Sequence, residues 1–206
     1  MGICIGLAAT IVVLIATVWI MDLIEQGTHG YEEEVIDYNF YPADFNENIY
    51  EDEDYLELMR GNYLSYCDSA TNVTYGIKRG QTDHYGADVS YMVEHVYTII
   101  EGNHEAYNAY FSDAYYDSGR KPKDAFTMQK LYNILINRMS VETVSEDIGN
   151  YTKYVYAVTY QIYENNGTFR RDIGDGAKTQ YIVVTDRTGE LLIDRISTVR
   201  GKGSAS

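Results

Sequence analysis

Thr152-Lys153-Tyr154-Val155-Tyr156-Ala157-Val158-Thr159-Tyr160-Gln161-Ile162-Tyr163-Glu164 is the stretch on which the architecture turns. Tyr154, Tyr156, Val158, Tyr160 and Ile162 fall on one side of a period-two pattern, with Lys153 and Gln161 on the other. Strict alternation of this length, rich in Tyr and Val, predicts a half-buried strand. Asn166-Gly167 just beyond it is a hairpin signal. A return strand is expected over about 168–185, interrupted near Gly174-Asp175-Gly176. Asp186-Arg187-Thr188-Gly189 then marks a second hairpin, and residues 190–199 complete a meander. On the N-terminal side, residues 140–147 read as a further strand, turned at Ile148-Gly149-Asn150.

Upstream of Met139 the period is helical. Asp124 is placed to cap a helix striped by Ala125, Met128, Leu131, Tyr132, Leu135, Ile136 and Met139. Ser118 to Lys123 form a turn, and 104–116 a short helix with Ala106, Tyr107, Tyr110, Phe111 and Ala114 on one face. Before it, Asp88 caps a helix carrying Val89, Met92, Val93, Val96, Tyr97 and Ile100, stopped by Gly102-Asn103. Residues 68–87 read as loop. A first helix covers 54–67, with Leu56, Met59, Tyr63 and Cys67 along one side and Gly61 as its weak point. Helices first and an antiparallel meander afterwards give an α+β domain, with helices packed on one face of a curved sheet, over residues 54–200. Residues 201–206 read as a tail.

The N-terminal part obeys different rules. Residues 1–21 contain no charged side chain, and the thirty-eight that follow contain thirteen acids and no Lys or Arg. A segment 1–24 built on Ile3, Ile5, Leu7, Ile11, Val12, Val13, Leu14, Ile15, Val18, Trp19 and Ile20 has the length of a transmembrane helix. Twenty residues at about 1.5 Å each span roughly 30 Å of hydrocarbon. Its start lacks the basic residues and its end the small residues of a cleavable signal, so an uncleaved single-pass anchor is expected. Trp19 suits the membrane interface. A domain behind one N-terminal span is most simply exported, which places the C-terminal domain outside the cytoplasm.

Residues 25–53 follow as an acidic stalk interleaved with Tyr31, Tyr38, Phe40, Tyr41, Phe45 and Tyr50, whose aromatic content predicts partial docking. Asp52-Glu53-Asp54 lacks the spacing and the Gly of a calcium loop and reads as a solvated face. Residues 60–206 hold eighteen acids against sixteen bases, so the domain has no basic excess with which to displace counterions from phosphates, and nucleic acid is not an expected partner. Beyond Cys4 the sole cysteine is Cys67, which suits a bacterial envelope protein better than a disulfide-stapled secreted module.

Ile100-Glu101-Gly102-Asn103-His104-Glu105-Ala106-Tyr107, continuing to Tyr110-Phe111-Ser112-Asp113, resembles the second-helix region of nuclear-transport-factor-2-like domains. Ala125 to Tyr132, ahead of the long Tyr-rich strand, is similar to bacterial exported members. The resemblance spans about 89–199 and implies a cone-like sheet. A membrane span ahead of such a cone also resembles the bitopic assembly proteins of type IV secretion and conjugation machines, which are scaffolds. Other members of the superfamily are acid–base enzymes with a carboxylate or His in the mouth of the cone.

Asp83-His84, His95 and Asp113 are the residues whose position suits such a role. With Tyr154, Tyr156 and Tyr160, His95 and Asp113 form the candidate ligand or partner face. The four scattered His of the chain and the one cysteine of the domain lack metal-ligand spacing, and no phosphate loop, dinucleotide fingerprint or nucleophile elbow occurs. No catalytic residue, metal or cofactor is expected. The leading expectation is a noncatalytic, membrane-anchored protein that assembles with itself or with an envelope complex. A small-ligand-binding or enzymatic cone is the second, and a pilin-like filament subunit the third.

Overall fold

The computed structural model describes residues 38–198 apart from Asn62, Ile148 and Asp175. The predicted anchor, the stalk as far as residue 37 and the tail lie outside the described residues. Among the described residues no helix is long and apolar enough to cross a membrane. The described residues contain four α-helices: α1 (Glu53–Met59), α2 (Ala87–Ile100), α3 (His104–Ala109) and α4 (Asp113–Asp117). Six strands, β1 (Leu64–Asp68), β2 (Val73–Gly76), β3 (Leu131–Glu146), β4 (Gly149–Ile162), β5 (Lys178–Thr185) and β6 (Leu192–Ser197), form one curved, unclosed sheet. Its order is β2-β1-β3-β4-β5-β6. All neighbours are antiparallel except β1 and β3. The α+β class and the C-terminal meander are as the patterns require.

The alternation in β4 is reproduced in its burial. Tyr156, Val158, Tyr160 and Ile162 are buried, while Val155, Ala157, Thr159 and Gln161 are half-buried on the opposite face. The buried face meets α2, whose Val89, Met92, Val93, Val96 and Ile100 are at most 1 % exposed. Gly86 takes the cap position of α2, at φ +116°, and Asp88 falls inside its first turn.

Four predicted elements are corrected. Residues 125–139 do not form a helix: an irregular stretch runs to Lys130 and β3 starts at Leu131. Asn133 adopts φ +50°, and the register with β4 shifts between Tyr132 and Leu135. This bulge inserts a residue, so Leu131, Ile134 and Ile136 all become buried. A bulged strand thereby imitates helical spacing. The first helix stops at Met59, because Gly61 turns the chain at φ +87°, and β1 then buries Leu64 and Tyr66 at a spacing of two. The stretch read as loop contains β2. Residues 104–116 divide into α3 and α4, since Ser112 caps α4 through Tyr115 N–H and Phe111 bridges to Ile193.

Asn166-Gly167 is also not a two-residue hairpin. Asn166 folds back to accept from Thr168 N–H at 3.1 Å, and the connection from β4 to β5 runs through buried Phe169 and Ile173.

Two tight points hold the segment that leads into β3. Gly102 follows α2 at φ +65°, and a Cβ there would lie 2.7 Å from the backbone N of Met128 and 2.8 Å from the carbonyl carbon of Thr127. Gln129 N–H donates to Ile100 O across the same contact at 3.1 Å. A side chain at this position meets both left-handed backbone strain and a backbone clash. Gly102→Ala is expected to destabilise the protein by about 2–3 kcal/mol in urea unfolding.

The second point is Lys130, whose side chain is 8 % exposed and pairs with Glu47 at 2.9 Å, Asp52 at 2.6 Å and Glu164 at 2.7 Å. Burial disfavours the ammonium, but hydrogen bonds with Asp52, Glu164 and Glu47 hold its pKa above the usual lysine value. The hydrogen bond from Lys130 holds the Asp52 carboxyl below its ordinary value. Together with fully buried Ile49, and with Tyr41 N–H donating to Asn165 O, this triad docks residues 38–52 on the domain. Lys130→Met removes the common cation. Amide exchange at Ile49 to Leu56 should then accelerate about tenfold or more, while that of β4 is unchanged.

Candidate functional site

A buried polar cluster lies where the first turn of α2 meets β1, β3 and β4. Asp88, 5 % exposed, projects from α2. Its Oδ2 accepts from Arg138 of β3 at 3.0 Å and from Tyr156 of β4 at 2.5 Å. Arg138 also donates to Asp68 of β1 at 2.5 Å, and Tyr66 donates to the same Asp68 oxygen at 3.4 Å. The Arg138 guanidinium lies 5.7 Å from the Tyr66 ring centroid, and its Nε is buried without an acceptor. Gly86 makes room for this arrangement, since a Cβ there would stand 2.6 Å from Asp88 Oδ1.

The electrostatics follow from this geometry. Burial and the Asp88 carboxylate push the Tyr156 phenol far above its ordinary value. Burial pushes Tyr66 up to about 12. The Arg138 hydrogen bond holds Asp68 below the usual carboxylate range. Both phenols therefore act as hydrogen-bond donors at neutral pH. The cluster is an ionic tie in which one arginine bridges two carboxylates.

Outward from this tie the side chains become aromatic and exposed. Tyr85, from a short 3-10 turn over Asp83–Tyr85, sits with its ring 5.2 Å from Tyr66 and 5.4 Å from Tyr75. The His84 ring lies with its centroid 3.9 Å from that of Tyr85, tilted by 42°. Tyr75 and Val73 on β2 are 41 % and 43 % exposed, and every residue of β2 is exposed.

The backbone of β2 is equally open. Ile77 N–H donates to Leu64 O, which fixes the parity of the ladder. Tyr75 and Val73, opposite Tyr66 and Asp68, bond inward to β1, and the amide and carbonyl groups of Thr74 and Gly76 point away from the sheet. The other edge is different. β6 is covered by its own chain, with Ser112 N–H on Ile193 O, Ile193 N–H on Tyr110 O and Arg120 on Ile196 O. Among the described residues, β2 is thus the sheet edge left open.

The structure separates the residues singled out in the sequence. Tyr156 belongs to the ionic tie, and Tyr154 is half-buried next to it on the same strand face. Tyr160, 1 % exposed, accepts from Arg170 at 2.9 Å and donates to Gln180. His95, 1 % exposed, is enclosed by Tyr107, Tyr110 and Phe111 with ring centroids 5.1–5.9 Å away. Its Nδ1 has no partner, and burial lowers its pKa to about 3, so it stays neutral. Asp113 opens α4 and is exposed. Tyr156, Tyr160 and His95 are core side chains and present no outward face.

A cavity of about 220 Å3 lies elsewhere, lined by Tyr38, Phe40, Tyr41, Asn165, Ile173 and Gly174 among others. It is smaller than a typical ligand pocket. Among the described residues no three His, Cys, Asp or Glu side chains gather to hold a metal ion. Comparison of the chain with protein-family models, with characterised proteins and with solved structures gives no match.

Asp68, Tyr66 and Arg138 were not singled out in the sequence, and Asp88 was read only as a helix cap. An aspartate in the first turn of a helix, two residues after Gly86, was the available signal. Its partners Arg138 and Tyr156 lie 50 and 68 residues away, so the sequence gives no local trace of them.

Proposed function

We propose that this protein is a noncatalytic, membrane-anchored interaction protein, whose α+β domain stands outside the cytoplasm and assembles with itself or with an envelope complex. The observation that carries the reading is the contrast between interior and edge. Where a cone-like enzyme would keep an open mouth, the sheet's buried face is filled by Tyr156, Val158, Tyr160 and the apolar stripe of α2. Its acids are tied to Arg138. The groups available to another molecule are instead the open β2 backbone and the Tyr75–Tyr85–His84 shelf. Tyr on a half-exposed surface is a side chain that partner contacts favour.

The uncharged stretch of residues 1–21 supports a single-pass anchor, and the acidic run behind it supports a spacer between bilayer and domain. The resemblance to nuclear-transport-factor-2-like scaffolds of secretion and conjugation machines points the same way.

The test uses the full chain in bacterial membranes, carrying a photo-reactive benzophenone side chain in place of Tyr75 or His84. Irradiation should give discrete protein adducts at both positions, and protease added outside the membrane should reach the domain. Absence of any protein adduct, or a domain protected on the cytoplasmic side, overturns the proposal.

A further inference from the structure

The open edge has a self-complementary geometry. We infer that β2 of one chain pairs antiparallel with β2 of a second copy, about a two-fold axis through Tyr75, and joins two six-stranded sheets into one. This rests on the reading of the protein as an interaction protein and names the partner of its edge.

The hydrogen-bond parity narrows the register. Thr74 and Gly76 have outward amides and carbonyls, and setting Thr74 opposite Gly76 of the partner, with Gly76 opposite Thr74, is the antiparallel register that pairs both residues within β2. Two such pairs exchange four backbone hydrogen bonds. Tyr75 then meets Tyr75 of the second copy as a non-hydrogen-bonded pair, the closer of the two kinds, with Cα atoms about 4.5 Å apart. Both rings lie on the face that carries Tyr85, which adds aromatic contact at the axis.

Three observations favour a second copy over an unrelated strand. Residues 73–76 read Val-Thr-Tyr-Gly and carry no charge, so like edges meet without repulsion. The same register sets Lys78 opposite Asn72 rather than opposite another lysine. Lastly, β6 is capped by residues 110–112 and Arg120, so a head-to-tail stack of β2 on β6 is blocked. One open edge among the described residues of each chain gives a closed pair, not a fibre. Four hydrogen bonds and a small contact make the pairing weak in dilute solution. Shared confinement in one membrane raises the effective concentration at which it operates.

Disulfide trapping in the full chain tests the inference, in a background without native cysteines (Cys4→Ser, Cys67→Ala). The spacing predicted for the Tyr75 pair lies within disulfide reach. Tyr75→Cys in membranes is therefore expected to form covalent dimers about tenfold faster under mild oxidation than Val141→Cys, which is 52 % exposed on β3. Adding Thr74→Pro removes one outward amide and should slow the Tyr75→Cys reaction several-fold, because proline is accepted at an open edge. Equal rates for Tyr75→Cys and Val141→Cys, or no effect of Thr74→Pro, overturn the pairing. If trapping fails while benzophenone at position 75 still captures other proteins, the self-pairing falls and the interaction role stands. If both fail, both fall.

Discussion

Replacing Asp88 by alanine is expected to cost about 3–5 kcal/mol in equilibrium urea unfolding, the loss that follows from stranding one member of a buried ion pair. Asp88 Oδ2 is the shared acceptor of Arg138 and Tyr156, so its removal leaves a charge and a phenol without their partner. Arg138 keeps only Asp68, on the neighbouring strand. Against a typical total of about 5–15 kcal/mol, such a loss leaves the domain marginal. Tyr156→Phe removes one hydrogen bond and keeps the ion pair, and should cost about 1–2 kcal/mol. The double variant Asp88→Ala/Tyr156→Phe should cost less than the sum of the two, since the phenol has already lost its acceptor. A loss below about 1 kcal/mol for Asp88→Ala would show that the tie contributes little.

The second large effect is a pH dependence traceable to one side chain. His95 is enclosed by Tyr107, Tyr110 and Phe111 and has a pKa of about 3, against 6.5 in the unfolded chain. Above pH 6.5 neither state binds the proton and the histidine contributes no pH dependence. Below it the unfolded chain binds a proton that the folded chain refuses, so stability falls with falling pH, down to the folded pKa. The slope approaches about 1.4 kcal/mol per pH unit, which makes a loss of about 2 kcal/mol between pH 7 and pH 5.

Carboxyls held low, such as Asp52 and Asp68, act mainly below that interval, where the unfolded acids take up protons. His95→Phe keeps an aromatic ring against Tyr107 and removes the titration. Urea midpoints measured at pH 7 and pH 5 should converge for this variant. Equal pH sensitivity in His95→Phe and the parent would assign the effect to other groups.

The legible parts of the fold were those in which one residue period runs without interruption. β4 keeps alternation over its whole inward face, and α2 keeps its stripe from Val89 to Ile100. The misread parts mix periods. Asn133 at φ +50° adds a residue to β3, and Leu131, Ile134 and Ile136 acquire the spacing of a helix. In the same way Met59, Tyr63 and Cys67 fall at helical intervals, although Gly61 leaves Met59 in α1, Cys67 in β1 and Tyr63 in the bend between them. The site was less legible, because its chemistry is assembled across the sheet. Arg138 lay in a segment assigned the wrong period, so the face it occupies could not be read. The open edge was missed with it, since β2 is four residues of Val-Thr-Tyr-Gly between turns.

The central claim, that this chain works through an open sheet edge, is tested most directly at two amides. Thr74 and Gly76 point their N–H groups away from the sheet, so they exchange freely in an isolated domain. Hydrogen exchange of the full chain in liposomes, at low and at high protein-to-lipid ratio, reports their pairing. Slowing of about tenfold or more at both amides at high density, with Tyr75 and Val73 protected throughout, is the predicted result. Unprotected exchange of Thr74 and Gly76 at every density would contradict it.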